Sequence, residues 1–203
     1  RYRTELYKLR RKFMSHADGL IHADLHTSNI MASRDKMKVI DMEFAFMGPF
    51  GYDLGYLVGN LISQYCAACF KRFPSEQNRK QFKAYLLATI KSLIETYMKT
   101  FTLCWEKSVK ERYRGQQGLL QSILQEVMED VPGYASMVNW FRSVSEIPYP
   151  DFDIIEDKDA KRNATVLSLM IDWGIMFGRY KYQSADDFIE TIIGIEEEFR
   201  KSL

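Results

Sequence analysis

Cysteine, histidine and proline are scarce in this sequence, with three, three and five of them in 203 residues. Three cysteines (Cys66, Cys69 and Cys104) are too few, and odd in number, to form a disulfide framework, and they imply a reducing, cytoplasmic setting. Net charge is nearly absent too: 28 basic side chains stand against 27 acidic ones, leaving +1. No field of one sign invites nucleic acid or an anionic membrane surface, although a balanced total leaves room for local polarity. No run of about 18 apolar residues occurs, so no membrane span is expected. The basic opening from Arg1 to Lys12 is not followed by the apolar segment of a signal peptide. The first residue is Arg rather than Met, which reads as a fragment or a processed product.

What the chain does hold is 46% hydrophobic and 14% aromatic residues, enough for one ring-rich core in a single domain or large lobe spanning residues 1–203. Leu6, Leu9 and Phe13 repeat at helical spacing, so Arg1 to His16 is expected to be a helix ending at Asp18-Gly19. Leu20 to His22, Asn29 to Ala32 and Lys38 to Asp41 read as short strands, the last two joined by a turn at Ser33 to Lys36. Phe46 to Tyr52, with Gly48, Pro49 and Gly51, reads as a loop. From there the pattern is helical. Asp53 is a candidate N-cap for a helix through Phe70, and Ser75 for one from Glu76 to about Tyr113. After a break at Gly115 to Gly118, Leu119 to Val131 and Tyr134 to Val144 read as two helices separated by Pro132-Gly133. Ile147 to Phe152 reads as a loop. Asp157 to about Tyr182 and Ala185 to Ser202 read as the last two helices. The fold class is therefore α+β, mostly α: a short β-hairpin element followed by a helical body over 53–203. This is the organisation of the larger, C-terminal lobe of a protein-kinase-like fold.

Chemistry concentrates between residues 20 and 55. Asp24 and Asn29 are five apart, and Asp41 follows twelve residues later. That is the spacing of a kinase catalytic loop and its metal-binding aspartate. Phosphoryl transfer needs a carboxylate that orients the acceptor hydroxyl and takes its proton, and oxygen ligands that hold magnesium against the phosphates. Magnesium is a hard ion that takes one or two protein carboxylates. Asp24, Asp41, Glu43 and the amide oxygen of Asn29 supply such a set. If the strand continued through them, Asp41 and Glu43 would share one face.

The segment His22 to Met31 resembles the loop of the methylthioribose kinases, whose pattern is His-Gly-Asp-Leu-His-Thr, two small or polar residues, then Ile-Met. VIDMEFAFMGPFGYDLG, from Val39 to Gly55, is similar to a second pattern of that family, Val-Ile-Asp-Pro-Glu-Phe-Ala-Phe-Tyr-Gly-Pro-Met/Phe-Gly-Phe-Asp-Ile-Gly. The strong match covers about Leu20 to Ile62. The resemblance implies a small-molecule kinase that uses ATP and Mg2+ to phosphorylate the 1-hydroxyl of methylthioribose in methionine salvage, often as a homodimer. It implies Asp24 as catalytic base and Asp41 and Glu43 as magnesium ligands. His22 would brace the loop, with Asp53 as a further brace, and His26 would lie near the acceptor. The sequence departs from the pattern at Ala23, where the family has Gly, at Met42, where it has Pro, and at Asn29, where Ser is common. An adjacent Arg pair that contacts the sugar in the family has no counterpart in Val166 to Tyr180.

Several kinase parts are missing. No Gly-rich loop, strand lysine or helix glutamate precedes the catalytic loop, so the N-terminal nucleotide lobe is not in this sequence, and the chain alone is expected to turn over little. Gly48, Gly51, Gly55 and Gly59 read as turn and close-packing glycines. Cys66 and Cys69 read as core thiols, since a zinc site wants a second ligand pair. Tyr97, Phe101, Trp105, Trp140, Phe141, Trp173 and Phe177 read as core. Phe44, Phe46, Phe50 and Tyr52 read as rings that pack their loop onto the body. Glu196 to Glu198 reads as a solvated helix face. Two other functions fit the same residues. One is a kinase for an aminoglycoside, choline-like or amino-alcohol acceptor, with Glu95, Glu106, Asp153 and Asp172 as scattered acids. The other is a non-catalytic, kinase-derived binding protein.

Overall fold

A computed structural model describes residues 1–144 and 150–203. Helix α1 (Tyr2–Ser15) leads into strand β1 (Gly19–Ile21). A single 3-10 turn at Thr27–Asn29 follows, then β2 (Ile30–Ala32), β3 (Met37–Val39) and β4 (Phe46–Gly48). The body is α2 (Tyr52–Phe70), α3 (Glu76–Ser108), α4 (Gln117–Val144), the one-turn α5 (Pro150–Asp153), α6 (Lys158–Gly178) and α7 (Ala185–Ser202). The strands form two antiparallel pairs. β1 pairs with β4 in the register Leu20 to Met47, and β2 pairs with β3 in the register Met31 to Lys38. The expected loop from Phe46 to Tyr52 thus begins as a strand, because Leu20 to Ile21 needs a partner for its backbone groups.

Helix α2 is the spine. Val58, Ile62 and Tyr65 of α2 meet Leu86 and Ile90 of α3, Val131 and Ala135 of α4, Leu167 and Ile171 of α6, and Phe188 and Ile192 of α7 in one core. The α2–α4 crossing is close. A Cβ on Gly55 would lie 2.9 Å from the Val131 carbonyl oxygen, and one on Gly59 would lie 2.9 Å from that of Ala135. Helix starts follow side-chain chemistry. Ser75 accepts from Asn78 N at 3.1 Å, Asp157 accepts from Ala160 N at 2.7 Å, and Ser184 and Asp187 cap α7 reciprocally.

The structure corrects some local readings. Pro132-Gly133 does not divide two helices; α4 runs through them. An interior proline costs about 3 kcal/mol, but Val131, Tyr134 and Ala135 are fully buried around it, and their burial outweighs that loss. The third helix ends at Ser108, and Glu111–Tyr113 is a separate 3-10 turn. α6 ends at Gly178, not Tyr182, where Lys181 N turns back to the Gly178 carbonyl at 2.8 Å. Of the residues expected in a loop at Ile147 to Phe152, 147–149 lie outside the described residues, and Phe152 sits in α5. Trp140, Phe141 and Trp173 are exposed rather than core. Cys66 and Cys69 are buried, while Cys104 is exposed. Glu196 is buried, accepting from Lys83, Tyr65 and Arg200. Among the described residues, no helix is long and apolar enough to cross a membrane.

Candidate active site

The loop after β1 is built on backbone strain and its compensation. Ala23 has φ +68°, a left-handed conformation that is unfavourable for any residue with a Cβ. The Asp53 carboxylate holds it there, accepting from His22 N at 2.6 Å and from Ala23 N at 2.9 Å. Asp53 does not cap its own helix. Gly51 is the N-cap of α2, and Asp53 lies in the first turn with its carboxylate directed at the loop.

The His22 ring is buried, with Nε2 2.8 Å from the Ile40 carbonyl oxygen. A carbonyl only accepts, so Nε2 carries the proton and Nδ1 is left to accept from Asp24 N at 3.3 Å. Asn29 is buried and donates from Nδ2 to the Asp24 carbonyl at 3.0 Å. Its own carbonyl accepts from Ile40 N at 3.0 Å. Asp24, Asn29 and the residue before Asp41 are therefore joined by one hydrogen-bond ladder.

Asp41 itself departs from the strand reading. β3 ends at Val39, and Asp41 has φ +65°, so strand alternation does not carry through to Glu43. Aspartate tolerates this region better than most residues. Asp41 and Glu43 are both exposed. Among the described residues, no three His, Cys, Asp or Glu side chains gather to hold a metal ion. The donors are nonetheless of the right kind. Magnesium in kinases takes one or two carboxylates and completes its shell with phosphate oxygens and water. Asp41 and Glu43 are carboxylates of that kind, one and three residues after Ile40 in the chain.

Asp24 opens into a cavity of about 740 Å³ between the loop, α2 and α4. His26 lines it too, with Nε2 3.5 Å from Asp24 Oδ2. So do Phe44, Tyr56, Arg142 and Asp151. Arg142 Nη2 donates to the Tyr56 hydroxyl at 3.2 Å. Burial pushes the Tyr56 phenol up; Arg142 opposes this, and the Asp24 carboxylate adds to it. Burial also pushes the Asp151 carboxyl up, against Arg142 and Lys71. Sequence reading did not find Tyr56, Arg142 or Asp151. Tyr56 carries a weak signal, one turn after Tyr52 on the same helix face, but nothing local marks Arg142. The arginine within Val166 to Tyr180, Arg179, is instead buried in an ion pair with Glu5 at 3.2 Å.

The chain is similar to known proteins. The phosphotransferase enzyme family matches residues 2–93. A methylthioribose kinase of Geobacillus thermodenitrificans is 32% identical over 196 residues, covering 97% of this chain and 47% of that protein. Methylthioribose kinase 2 of Oryza sativa is 31% identical, over 92% of this chain and 46% of that protein. The Yersinia enterocolitica methylthioribose kinase is 28% identical, over 91% and 46%. The chain thus spans about half the length of the curated relatives it matches. Residues 2–93 match the phosphotransferase enzyme family, and over nearly its whole length the chain is similar to the methylthioribose kinases.

Proposed function

We propose that this chain is the catalytic-loop lobe of an ATP-dependent kinase that phosphorylates a hydroxyl of a small metabolite, S-methyl-5-thioribose. The observation that carries the reading is the ladder from Asp53 through His22 to Ile40 and Asn29, which fixes Asp24 at the mouth of a cavity of metabolite size. Asp24 orients the acceptor hydroxyl and takes its proton as the oxygen attacks the γ-phosphorus of ATP and the bridging P–O bond to ADP breaks. Asp41, Glu43 and the Asn29 amide oxygen would be the donors for Mg2+, which would supply neutralising charge to the phosphates. His26 stands beside Asp24 as an acceptor contact. The protein contributes mainly positioning and charge placement, since the transition state needs little covalent help.

Asp24→Asn in the complete polypeptide, assayed with ATP and methylthioribose, is expected to lower turnover by at least ~10²-fold with an unchanged unfolding midpoint. Near-normal turnover would reject the assignment. A second reading, a cationic amino-alcohol or aminoglycoside acceptor, draws on the aromatic wall of Phe44, Tyr52 and Tyr56 and on Asp151. Arg142 in the same wall works against a cation. Turnover compared across the acceptor classes separates the two.

A further inference from the structure

Tyr56 is half-buried in the cavity wall, packed against Tyr52 with ring centroids 6.0 Å apart. Arg142 Nη2 lies 3.2 Å from its hydroxyl oxygen, and the guanidinium also sits 5.7 Å from the ring centroid. A guanidinium has donors and no acceptor, so the phenol oxygen accepts in this pair. Its single proton is then left for another partner. The Asp24 carboxylate lines the same cavity wall, and its negative charge pushes the phenol up. An ionised carboxylate only accepts, so a bond between the two can run only from the phenol to Asp24.

We propose that Tyr56 is a positioning residue for Asp24: with its oxygen held by Arg142, it donates to one carboxylate oxygen of Asp24 and leaves the other for the acceptor hydroxyl. The inference rests on the reading of Asp24 as the base. Its physical content is that a free carboxylate rotates about its last bond, whereas one anchored at a single oxygen presents the other at a fixed angle. Orientation of this kind is what a phosphoryl-transfer site has to supply. The anchor comes from side chains of α2 and α4, in addition to the Asp53 carboxylate that holds the loop's backbone. The ladder through His22, Asn29 and Asp53 fixes the backbone of Asp24, and Tyr56 fixes its side chain.

The test is a double-mutant cycle in the complete polypeptide with ATP and methylthioribose: Tyr56→Phe, Asp24→Asn and the pair. Tyr56→Phe keeps the ring and its packing, and an unfolding midpoint close to the parent's shows that the fold is intact. It is expected to lower kcat by about tenfold with the acceptor KM within about twofold. Because the phenol acts through Asp24, adding Tyr56→Phe to Asp24→Asn should slow the enzyme no further. An unchanged kcat, a change confined to KM, or full multiplication of the two effects would overturn the role. Tyr56→His, which keeps a ring donor, should recover part of the lost kcat; no recovery would count against the hydrogen bond. Absent turnover in the parent protein, or near-normal turnover in Asp24→Asn, would overturn the functional reading as well.

Discussion

Ala23 shows how one side chain can record a compromise. Its φ of +68° suits glycine, and a Cβ there costs about 1–2 kcal/mol. Two amide hydrogen bonds to the Asp53 carboxylate keep the loop in place regardless. Bonds to a charged acceptor are the strong ones, about 1.5–3 kcal/mol each, so they win. Ala23→Gly removes the steric cost while keeping both amides, and gains unfolded-chain freedom in exchange. The net expectation is a stabilisation of about 0.5–1 kcal/mol, read as a rise of a few degrees in the thermal midpoint. A lowered midpoint would mean that the loop carries no such strain.

Glycines in the helices separate by what surrounds them. A Cβ on Gly59 in α2 would lie 2.9 Å from the carbonyl oxygen and 3.2 Å from the Cα of Ala135 in α4. Both are backbone atoms and cannot rotate aside. Helix propensity favours alanine by about 1 kcal/mol, while overpacking of a tight contact costs about 1–3 kcal/mol. Gly59→Ala is therefore expected to destabilise. Gly194 in α7 has nothing within 4 Å of an added Cβ, so Gly194→Ala is expected to stabilise by about 1 kcal/mol. Denaturant midpoints of opposite sign for the two variants check the contact; the same sign for both would refute it.

The contrast also explains what was legible beforehand. Gly55 and Gly59 could be read as close-packing residues from their spacing, and Asp24, Asn29 and Asp41 from theirs, because those relations are local in the chain. The Tyr56–Arg142 pair joins α2 to α4 and exists only once the helices pack. Trp140 and Trp173 have core-like periodicity, but a period marks a face without saying whether anything covers it. Pro132 carries a strong local stop signal, and the burial of its neighbours overrides it.

In the helical body, Glu196 ties three helices together. Tyr65 of α2, Lys83 of α3 and Arg200 of α7 all donate to it, and it is buried. Its spacing from Ile192 and Phe199 already places it on the apolar face of α7, which the acidic run Glu196 to Glu198 hides. Burial pushes its carboxyl up, but the hydrogen bonds from Lys83, Tyr65 and Arg200 outweigh burial and hold it at about 2. A depressed carboxyl contributes stability above its unfolded value, and that stability is lost as pH falls through the folded value. The window here runs from about 4.5 down to about 2. Asp130 has the opposite sign. Burial raises it to about 6 although the Lys12 ammonium pulls it down, so its contribution is full below its unfolded value of 3.8 and disappears as pH rises through 6. Stability should therefore fall on both sides of a maximum near pH 4–5 so far as these two groups set it. Glu196→Gln keeps the shape but leaves Lys83 and Arg200 without their anion, a loss of about 3 kcal/mol for a buried pair. It should also flatten the acid arm while leaving the descent between pH 4 and 6 in place. Urea midpoints of parent and variant at pH 3, 5 and 7 separate the arms, and an acid arm just as steep in Glu196→Gln would show that the three-helix tie is not what titrates there.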